Sequence, residues 1–103
     1  MITCVAYLVA ATMHCTGLAP IPIVVGANTP VGTFVAAPLS RDAHGFDHQP
    51  DGIAAIHVAL KGREKLFTRQ PQFRRNVSAG CINVVESDYR KLPRRSFKLE
   101  VRK

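Results

Sequence analysis

The sequence predicts a mainly β fold with one or two short helices. The first 40 residues alternate short apolar runs with turns that contain Gly and Pro, which is typical of strands joined by tight connections. Near the other end, Phe97, Leu99 and Val101 alternate with charged residues, and this period of two predicts a half-buried strand. A third apolar run, residues 53–60, has the length of a buried strand.

Residues 2–12 form an apolar run with the length of a signal-peptide core or of a strand. No Lys or Arg precedes the run, whereas the start of a signal peptide is normally positive. The run is also too short to span a bilayer. Because Ile2, Thr3, Val5 and Tyr7 are β-branched or aromatic, we interpret the run as a strand.

Further strands and a loop follow. Residues 21–25 predict a short strand, and another strand starts at residues 33–35. The polar stretch 40–52 contains two Gly and one Pro, and it predicts a loop. That stretch carries His44 and His48, a spacing that suits a metal pair on a helix. Since Gly and Pro disfavour a helix there, we expect two solvated loop residues and no metal site.

Residues 61–75 are polar and basic without clear periodicity, and they predict a long exposed loop. Such loops in compact domains are usually functional or mobile. Ser87 and Asp88 are suited to cap a short helix over residues 88–92. No linker or internal repeat divides the chain, so residues 1–103 predict one domain.

The charge is strongly basic and unevenly placed. The formal net charge is +7, and every Asp, Glu, Lys and Arg lies between Arg41 and Lys103. A basic surface attracts polyanions, which include nucleic acid, anionic lipid and anionic cell-wall polymer. Charge alone does not choose among these partners.

The three cysteines are Cys4, Cys15 and Cys81. An odd number leaves at least one thiol that is free or paired between chains. Cys4 and Cys15 could form a disulfide if the chain is exported and the segment folds back as a hairpin. The simpler interpretation, which we prefer, is that both are small buried hydrophobic residues. No CxxC pair is present, so no structural zinc site is expected.

The sequence Ser-Ala-Gly-Cys-Ile-Asn, residues 78–83, contains candidates for thiol chemistry. A reactive cysteine needs a lowered pKa, a base within reach and donors for an oxyanion. Gly80 allows a tight turn that presents backbone N–H groups beside Cys81, and such groups contribute about 3–4 kcal/mol to a transition state. Ser78 is suited to hydrogen-bond within the turn. His57, in the apolar run, is the candidate base.

Residues 78–83 resemble the cysteine motif of the YkuD-type L,D-transpeptidases, which is Ser/Thr-x-Gly-Cys, then an apolar residue, then Arg or Asn. Ile56 and His57 are similar to that family's upstream His at the end of an apolar strand. Residues 29–34, Thr-Pro-Val-Gly-Thr-Phe, match the family's Thr-Pro-x-Gly-x-Phe segment. With a closing helix and strand over residues 88–101, the resemblance covers residues 24–101.

The resemblance implies that residues 1–103 form a single catalytic domain with a YkuD-like mixed β-sandwich or barrel. It implies Cys81 as nucleophile and His57 as base, with Ser78 and Gly80 completing the catalytic site. The thiolate attacks the L,D bond before the terminal D-Ala of a peptidoglycan tetrapeptide stem. An amine of a second stem then resolves the thioester. The implied enzyme needs no metal or organic cofactor and acts in the periplasm or elsewhere outside the cytoplasm.

Three further positions are candidates for substrate binding. Ala79 stands where the family often has His, and its backbone carbonyl is expected to orient His57. Asn83 stands where Arg is common and is suited to hydrogen-bond near the site. Arg74 and Arg75 precede the motif and are most simply a solvated charged loop. Of these two, Arg75 is the candidate partner for a substrate carboxylate.

Other functions compete with the transpeptidase. The same Cys81 would serve an L,D-carboxypeptidase or a toxin-like effector. A non-catalytic module that binds cell wall or nucleic acid would explain the charge, although few aromatic residues are available for base stacking. We therefore expect no nucleic-acid partner and no membrane span. A pseudoenzyme is the third alternative, because the interval between His57 and Cys81 is longer than in the family and the segment before residue 24 is shorter. Val58, where the family commonly has Gly or Ser, is a further departure from the family's pattern.

Overall fold

The computed structural model describes residues 2–50 and 52–103, and within them eight strands form one mixed sheet. The spatial order is β3-β2-β1-β8-β4-β5-β6-β7. The sheet is nearly closed into a barrel, so the predicted mainly β, YkuD-like fold is confirmed. The strands are β1 (Thr3–Tyr7), β2 (Thr12–Cys15), β3 (Ile21–Pro22), β4 (Gly32–Ser40), β5 (Ala43–Gln49), β6 (Gly52–Val58), β7 (Ile82–Val84) and β8 (Phe97–Arg102).

Strand β8 lies at the centre of the sheet, and one of its faces is buried, as its alternating sequence predicts. Phe97, Leu99 and Val101 are buried while Lys98 and Arg102 are exposed. The strand pairs parallel with β1 on one side and antiparallel with β4 on the other. Its apolar face therefore contributes to one core with the inward residues of its neighbours. The largest fully buried side chains include Phe97, Met13, Ile21, Ile23, Ile56, Ile82 and Leu99.

The segment after β3 brings the two ends of the sheet together. The Val24 N–H donates to the Asn83 carbonyl (N···O 3.1 Å), and the Asn83 N–H donates to the Val24 carbonyl (2.8 Å). Gly26 forms an isolated parallel bridge with Ser78. These contacts join the N-terminal half of the chain to the segment that leads into β7. Residues 78–81, Ser-Ala-Gly-Cys, therefore lie where the two ends of the sheet meet.

The prediction of a loop over residues 40–52 is wrong, because most of it is strand β5. This strand pairs antiparallel with both β4 and β6, and two neighbouring strands outweigh the low β-propensity of Gly and Asp. At Gly45 a Cβ would lie 2.9 Å from Leu39 Cδ1, so the glycine leaves room for a neighbouring side chain. His48 is exposed, whereas His44 is only 3% exposed and is not a solvated residue.

The helical segments also differ from expectation. The α-helix α1 spans Glu86–Tyr89, two residues before the predicted start, and its N-cap Val85 makes no side-chain capping bond. Tyr89, the last residue of the helix, is buried and its ring contacts that of His44, so packing against the sheet stabilises the helix without a side-chain cap. Two 3₁₀ helices, Glu64–Thr68 and Pro71–Phe73, occupy much of the basic segment. That segment is not wholly exposed, since Phe67 is buried.

Cys4 and Cys15 form a disulfide. They lie directly opposite each other in the β1–β2 hairpin, with Cα atoms 4.1 Å apart. Both are buried, as expected, but the preferred interpretation as unbonded hydrophobic residues is wrong because the hairpin register brings the two side chains together. None of the helices in residues 2–50 and 52–103 has the length and apolar character that crossing a membrane requires.

Candidate active site

The free cysteine, Cys81, lies beside His57, the candidate base predicted from the sequence. Cys81 directly precedes β7 and is half-exposed. Strand β7 runs parallel to β6, with Ile56 level with Ile82 and His57 level with Asn83. Continued by one residue, this register sets Cys81 level with Ala55, close enough to His57 for each side chain to shift the pKa of the other. The Cys81 Sγ also lies 3.9 Å from the Ile53 carbonyl oxygen. The pairing of β6 with β7 thus brings the two residues together although they are far apart in the sequence.

The ring of His57 is held by its own strand. His57 Nδ1 lies 2.8 Å from the carbonyl oxygen of Val58. A carbonyl only accepts hydrogen bonds, so Nδ1 carries a proton and Nε2 is left for the thiol of Cys81. The expectation that the Ala79 carbonyl orients the ring is therefore corrected, because the Val58 carbonyl does so.

The interaction between the side chains of Cys81 and His57 changes the proton affinities of both. It lowers the pKa of Cys81 below its ordinary value, against the opposing effect of burial. The same interaction raises the pKa of His57, again against burial. Both shifts favour the thiolate–imidazolium pair, which is the nucleophilic form of a cysteine. In this form a cysteine can act as a nucleophile with a proton donor beside it.

Ser78 stabilises the turn that carries the thiol. Its Oγ–H donates to the Cys81 carbonyl at 2.6 Å. The turn is docked on the chain after β3, since the Val25 carbonyl accepts from the N–H groups of Val77 (2.9 Å) and Ser78 (3.3 Å). Gly26 is packed so closely that a Cβ there would lie 2.0 Å from the Ser78 carbonyl oxygen. Only glycine fits this contact.

Gly80 lies in an ordinary backbone conformation beside the thiol. Its φ lies outside the left-handed region, and a Cβ there would meet Asn28 O at 3.5 Å, an ordinary contact. The turn therefore does not depend on a left-handed backbone at residue 80. Within the described residues, the N–H groups of Gly80 and Cys81 donate to no protein acceptor. They are available to an oxyanion that forms on a bound carbonyl.

A cleft of about 410 Å³ opens beside the thiol. Ala79, Gly80 and Cys81 form one wall. The start of β6 and Pro30 of the Thr-Pro segment line the rest. Thr29 supports this segment, because its Oγ1 accepts the Gly26 N–H at 3.0 Å. Of the candidate substrate residues, Ala79 is therefore the one that lies on the cleft surface.

Asn83 lies below the surface rather than in the cleft. It is 0% exposed, and its Oδ1 accepts from Arg63 Nη1 at 3.2 Å. Its Nδ2 has no hydrogen-bond partner among the described residues. Arg63 was not selected from the sequence, since one arginine in a basic segment carries no local signal. The structure places it on the His57 side of the thiol.

The two arginines before the motif differ from each other. Arg74 is buried and donates to the carbonyls of Ile23 (3.3 Å), Ala11 (3.1 Å) and Arg69. It is a structural residue, so the prediction of a solvated side chain is wrong for Arg74. Arg75 is half-exposed and does not line the cleft. Residues 2–50 and 52–103 contain no cluster of three or more His, Cys, Asp or Glu able to hold a metal.

The chain is similar in structure to L,D-transpeptidases. An L,D-transpeptidase from Mycobacterium smegmatis matches 99% of this chain with a TM-score of 0.69 and 21% identity. L,D-transpeptidase 3 from Mycobacterium tuberculosis, in complex with a faropenem-derived adduct, matches 99% with a TM-score of 0.73 and 16% identity. A third, from Stackebrandtia nassauensis, matches 97% with a TM-score of 0.72 and 15% identity.

These likenesses concern the fold and only part of each relative. The chain covers 58%, 60% and 54% of the three matched chains, respectively. No protein-family model and no curated protein matches the sequence. The comparisons therefore establish that the described residues adopt the fold of L,D-transpeptidases, which is the fold that the resemblance implied.

Proposed function

We propose that this chain is a cysteine acyltransferase that cleaves the L,D bond before the terminal D-Ala of peptidoglycan tetrapeptide stems. The observation that carries the proposal is the proximity of Cys81 to His57, which shift each other's pKa, beside an open cleft in the fold of L,D-transpeptidases. A cysteine paired with an oriented histidine is the arrangement that acyl transfer requires. The contact also favours an enzyme over the pseudoenzyme, which would leave the two residues out of reach.

The proposed reaction has two steps. The Cys81 thiolate attacks the carbonyl carbon of the L,D bond, and the N–H groups of Gly80 and Cys81 donate to the oxyanion. When the C–N bond breaks, His57 gives its proton to the leaving nitrogen, and D-Ala departs from a Cys81 thioester. His57 then accepts a proton from the attacking amine of a second stem. The new amide forms as the C–S bond breaks and the thiol is restored.

Two features support a location outside the cytoplasm. The disulfide between Cys4 and Cys15 persists in oxidising compartments and is rare in the cytosol. The net charge of +7 also suits an anionic cell-wall surface. These features agree with a substrate that is part of the cell wall.

The first experiment is incubation with a carbapenem followed by intact-mass measurement. Opening of the β-lactam ring by Cys81 adds the full mass of the drug to the protein. We expect one adduct in the wild type, none in Cys81→Ala and slower formation in His57→Ala. Absence of an adduct on folded protein with a free thiol would contradict the proposal and favour the basic binding module.

A second measurement identifies the acceptor. With a tetrapeptide stem as substrate, released D-Ala reports the first step. A cross-linked dimer then identifies a transpeptidase, whereas a tripeptide alone identifies the L,D-carboxypeptidase alternative. Release of D-Ala that persists in Cys81→Ala would contradict both.

A further inference from the structure

Arg63 lies on the His57 side of the proposed catalytic pair, Cys81 and His57. It is half-buried, and its Nη1 donates to Asn83 Oδ1 at 3.2 Å. Asn83 is level with His57 in the β6–β7 pairing. The charge of Arg63 reaches both reacting groups, because it lowers the pKa of Cys81 and opposes the rise in the pKa of His57. A guanidinium is therefore anchored next to the histidine of the site.

No carboxylate neutralises this guanidinium within the described residues. The carboxylate of Glu64, its neighbour in sequence, accepts the Gly62 N–H at 2.9 Å. Asp42 and Glu86 are paired with Arg90 instead. A guanidinium has five N–H donors, and Asn83 takes one of those of Arg63. The remaining donors are suited to an anion that comes from outside the protein.

The direction of the proposed reaction locates that anion. The cleft lies at the start of β6, near Ile53, whereas His57 and Arg63 lie towards its end. His57 protonates the leaving nitrogen, so the leaving residue must lie on the His57 side of Cys81. The carboxylate of a terminal amino acid is joined to the carbon next to that nitrogen. The acyl part of the substrate then occupies the cleft, and the terminal carboxylate comes close to Arg63.

We infer, on the basis of the proposed function, that Arg63 binds the C-terminal carboxylate of the leaving residue. Asn83 is the positioning residue that holds the guanidinium in place. This arrangement restricts cleavage to the free end of a stem peptide, because an internal peptide bond or a terminal amide offers no negative charge to Arg63. Arg63 is thus assigned as a specificity-determining residue.

The test measures carboxylate binding without requiring turnover. N-Acetyl-D-alanine and N-acetyl-D-alaninamide are titrated as protectants of Cys81 against iodoacetamide. In the wild type we expect the acid to protect Cys81 at concentrations at least about tenfold lower than the amide. A hydrogen bond to a charged group changes the affinity by about that factor or more. In Arg63→Gln, protection of Cys81 by the acid should need concentrations about tenfold higher or more, whereas protection by the amide should not change. Arg63→Lys should retain part of the preference.

Lys65→Gln is the matched control, because it removes one positive charge from the same segment at an exposed position. Its acid preference should equal that of the wild type. Thermal melts of all variants show whether they are folded, and the comparison of acid with amide in the wild type needs no variant. Equal protection by acid and amide in the wild type, or an unchanged preference in folded Arg63→Gln, would overturn the inference.

Turnover of a tetrapeptide separates this inference from the proposed function. If D-Ala is released but the acid preference does not depend on Arg63, the function stands and the inference fails. If the acid preference depends on Arg63 but neither D-Ala release nor a carbapenem adduct occurs, the function fails and the carboxylate site stands.

Discussion

His57 Nδ1 donates to the carbonyl oxygen of Val58, the next residue in β6, at 2.8 Å. The bond ties the ring to the backbone of the same strand and leaves Nε2 to Cys81. The orientation of the base therefore depends on the conformation of one strand rather than on a separate side chain. Any substitution at Val58 that keeps the strand should leave the pairing of His57 with Cys81 intact.

The first prediction concerns the pH dependence of thiol reactivity. The interaction with His57 lowers the pKa of Cys81 below 9.0, so alkylation of the wild type by iodoacetamide should rise with pH at an inflection below that value. In His57→Ala the inflection should move up, since the main cause of the shift is removed. Acylation by a carbapenem should also slow by about 10²–10⁴-fold.

His48→Ala is the control, because His48 is exposed. Its profile should match that of the wild type. Since Cys4 and Cys15 are bonded to each other, the alkylation of native protein reports Cys81 alone. An identical inflection in the wild type and in His57→Ala would refute the pairing.

The second prediction concerns the contact between Gly26 and Ser78. In Gly26→Ala the new Cβ would lie 2.0 Å from the Ser78 carbonyl oxygen and 2.7 Å from its carbon. Both atoms are backbone, so the turn that carries Cys81 must shift. We expect a loss of about 1–3 kcal/mol in the free energy of unfolding, as in overpacked sites, together with slower acylation of Cys81. Urea denaturation and carbapenem labelling measure the two effects.

Gly80→Ala is the matched control for this substitution. The new Cβ would make only an ordinary contact with Asn28 O at 3.5 Å, and no left-handed backbone is disturbed. The free energy of unfolding should change by less than about 0.5 kcal/mol. If both variants unfold at the same urea concentration as the wild type, the close approach of Gly26 to Ser78 is not a constraint.

The third prediction is a thiol count. Because Cys4 is bonded to Cys15, denatured but unreduced protein should show one reactive thiol, and reduced protein should show three. Replacing Cys4 and Cys15 together by Ala should lower the free energy of unfolding by about 2–4 kcal/mol. The melting temperature of the double variant should not respond to reductant, whereas that of the wild type should fall. Three thiols in unreduced protein would contradict the disulfide.

Sequence patterns predicted those parts of the fold that local periodicity determines. The alternation of Phe97, Leu99 and Val101 identified β8 because one face of that strand is buried. Strand β5 was missed because its stability comes from pairing with β4 and β6 rather than from its own residues. Its His44 consequently appeared solvated, although the strand points it into the core.

The site was predictable only where a motif marks it. Cys81 and His57 were recognised from their motifs, and the parallel pairing of β6 with β7 explains how they meet. Arg63 was missed because its position beside Asn83 depends on how the basic segment folds back. The burial of Arg74 was missed for the same reason, since its acceptors Ile23 and Ala11 lie far away in sequence.

The last prediction concerns His44 and acid stability. His44 Nδ1 lies 2.6 Å from the Tyr89 hydroxyl, and Nε2 lies 3.3 Å from the Arg95 carbonyl. Because that carbonyl only accepts, Nε2 carries the proton of the neutral ring, and Nδ1 accepts from Tyr89. Burial lowers the pKa of His44 below its ordinary value of 6.5. The unfolded state therefore binds more protons than the folded state as the pH falls through 6.5.

It follows that the contribution of His44 to stability is present above pH 6.5 and is lost as the pH falls towards the lower pKa of the folded state. His57 has the opposite sign, because its pKa is raised and its contribution is lost as the pH rises. The difference between the wild type and His44→Gln isolates His44 from this background. The free energy of unfolding is measured in urea at pH values from about 7.5 to about 5, in steps of about half a pH unit around the ordinary pKa of histidine. The difference between the two proteins should shrink as the pH falls. A difference that stays constant, or that equals the one for the exposed control His48→Gln, would mean that His44 is not buried as a neutral ring.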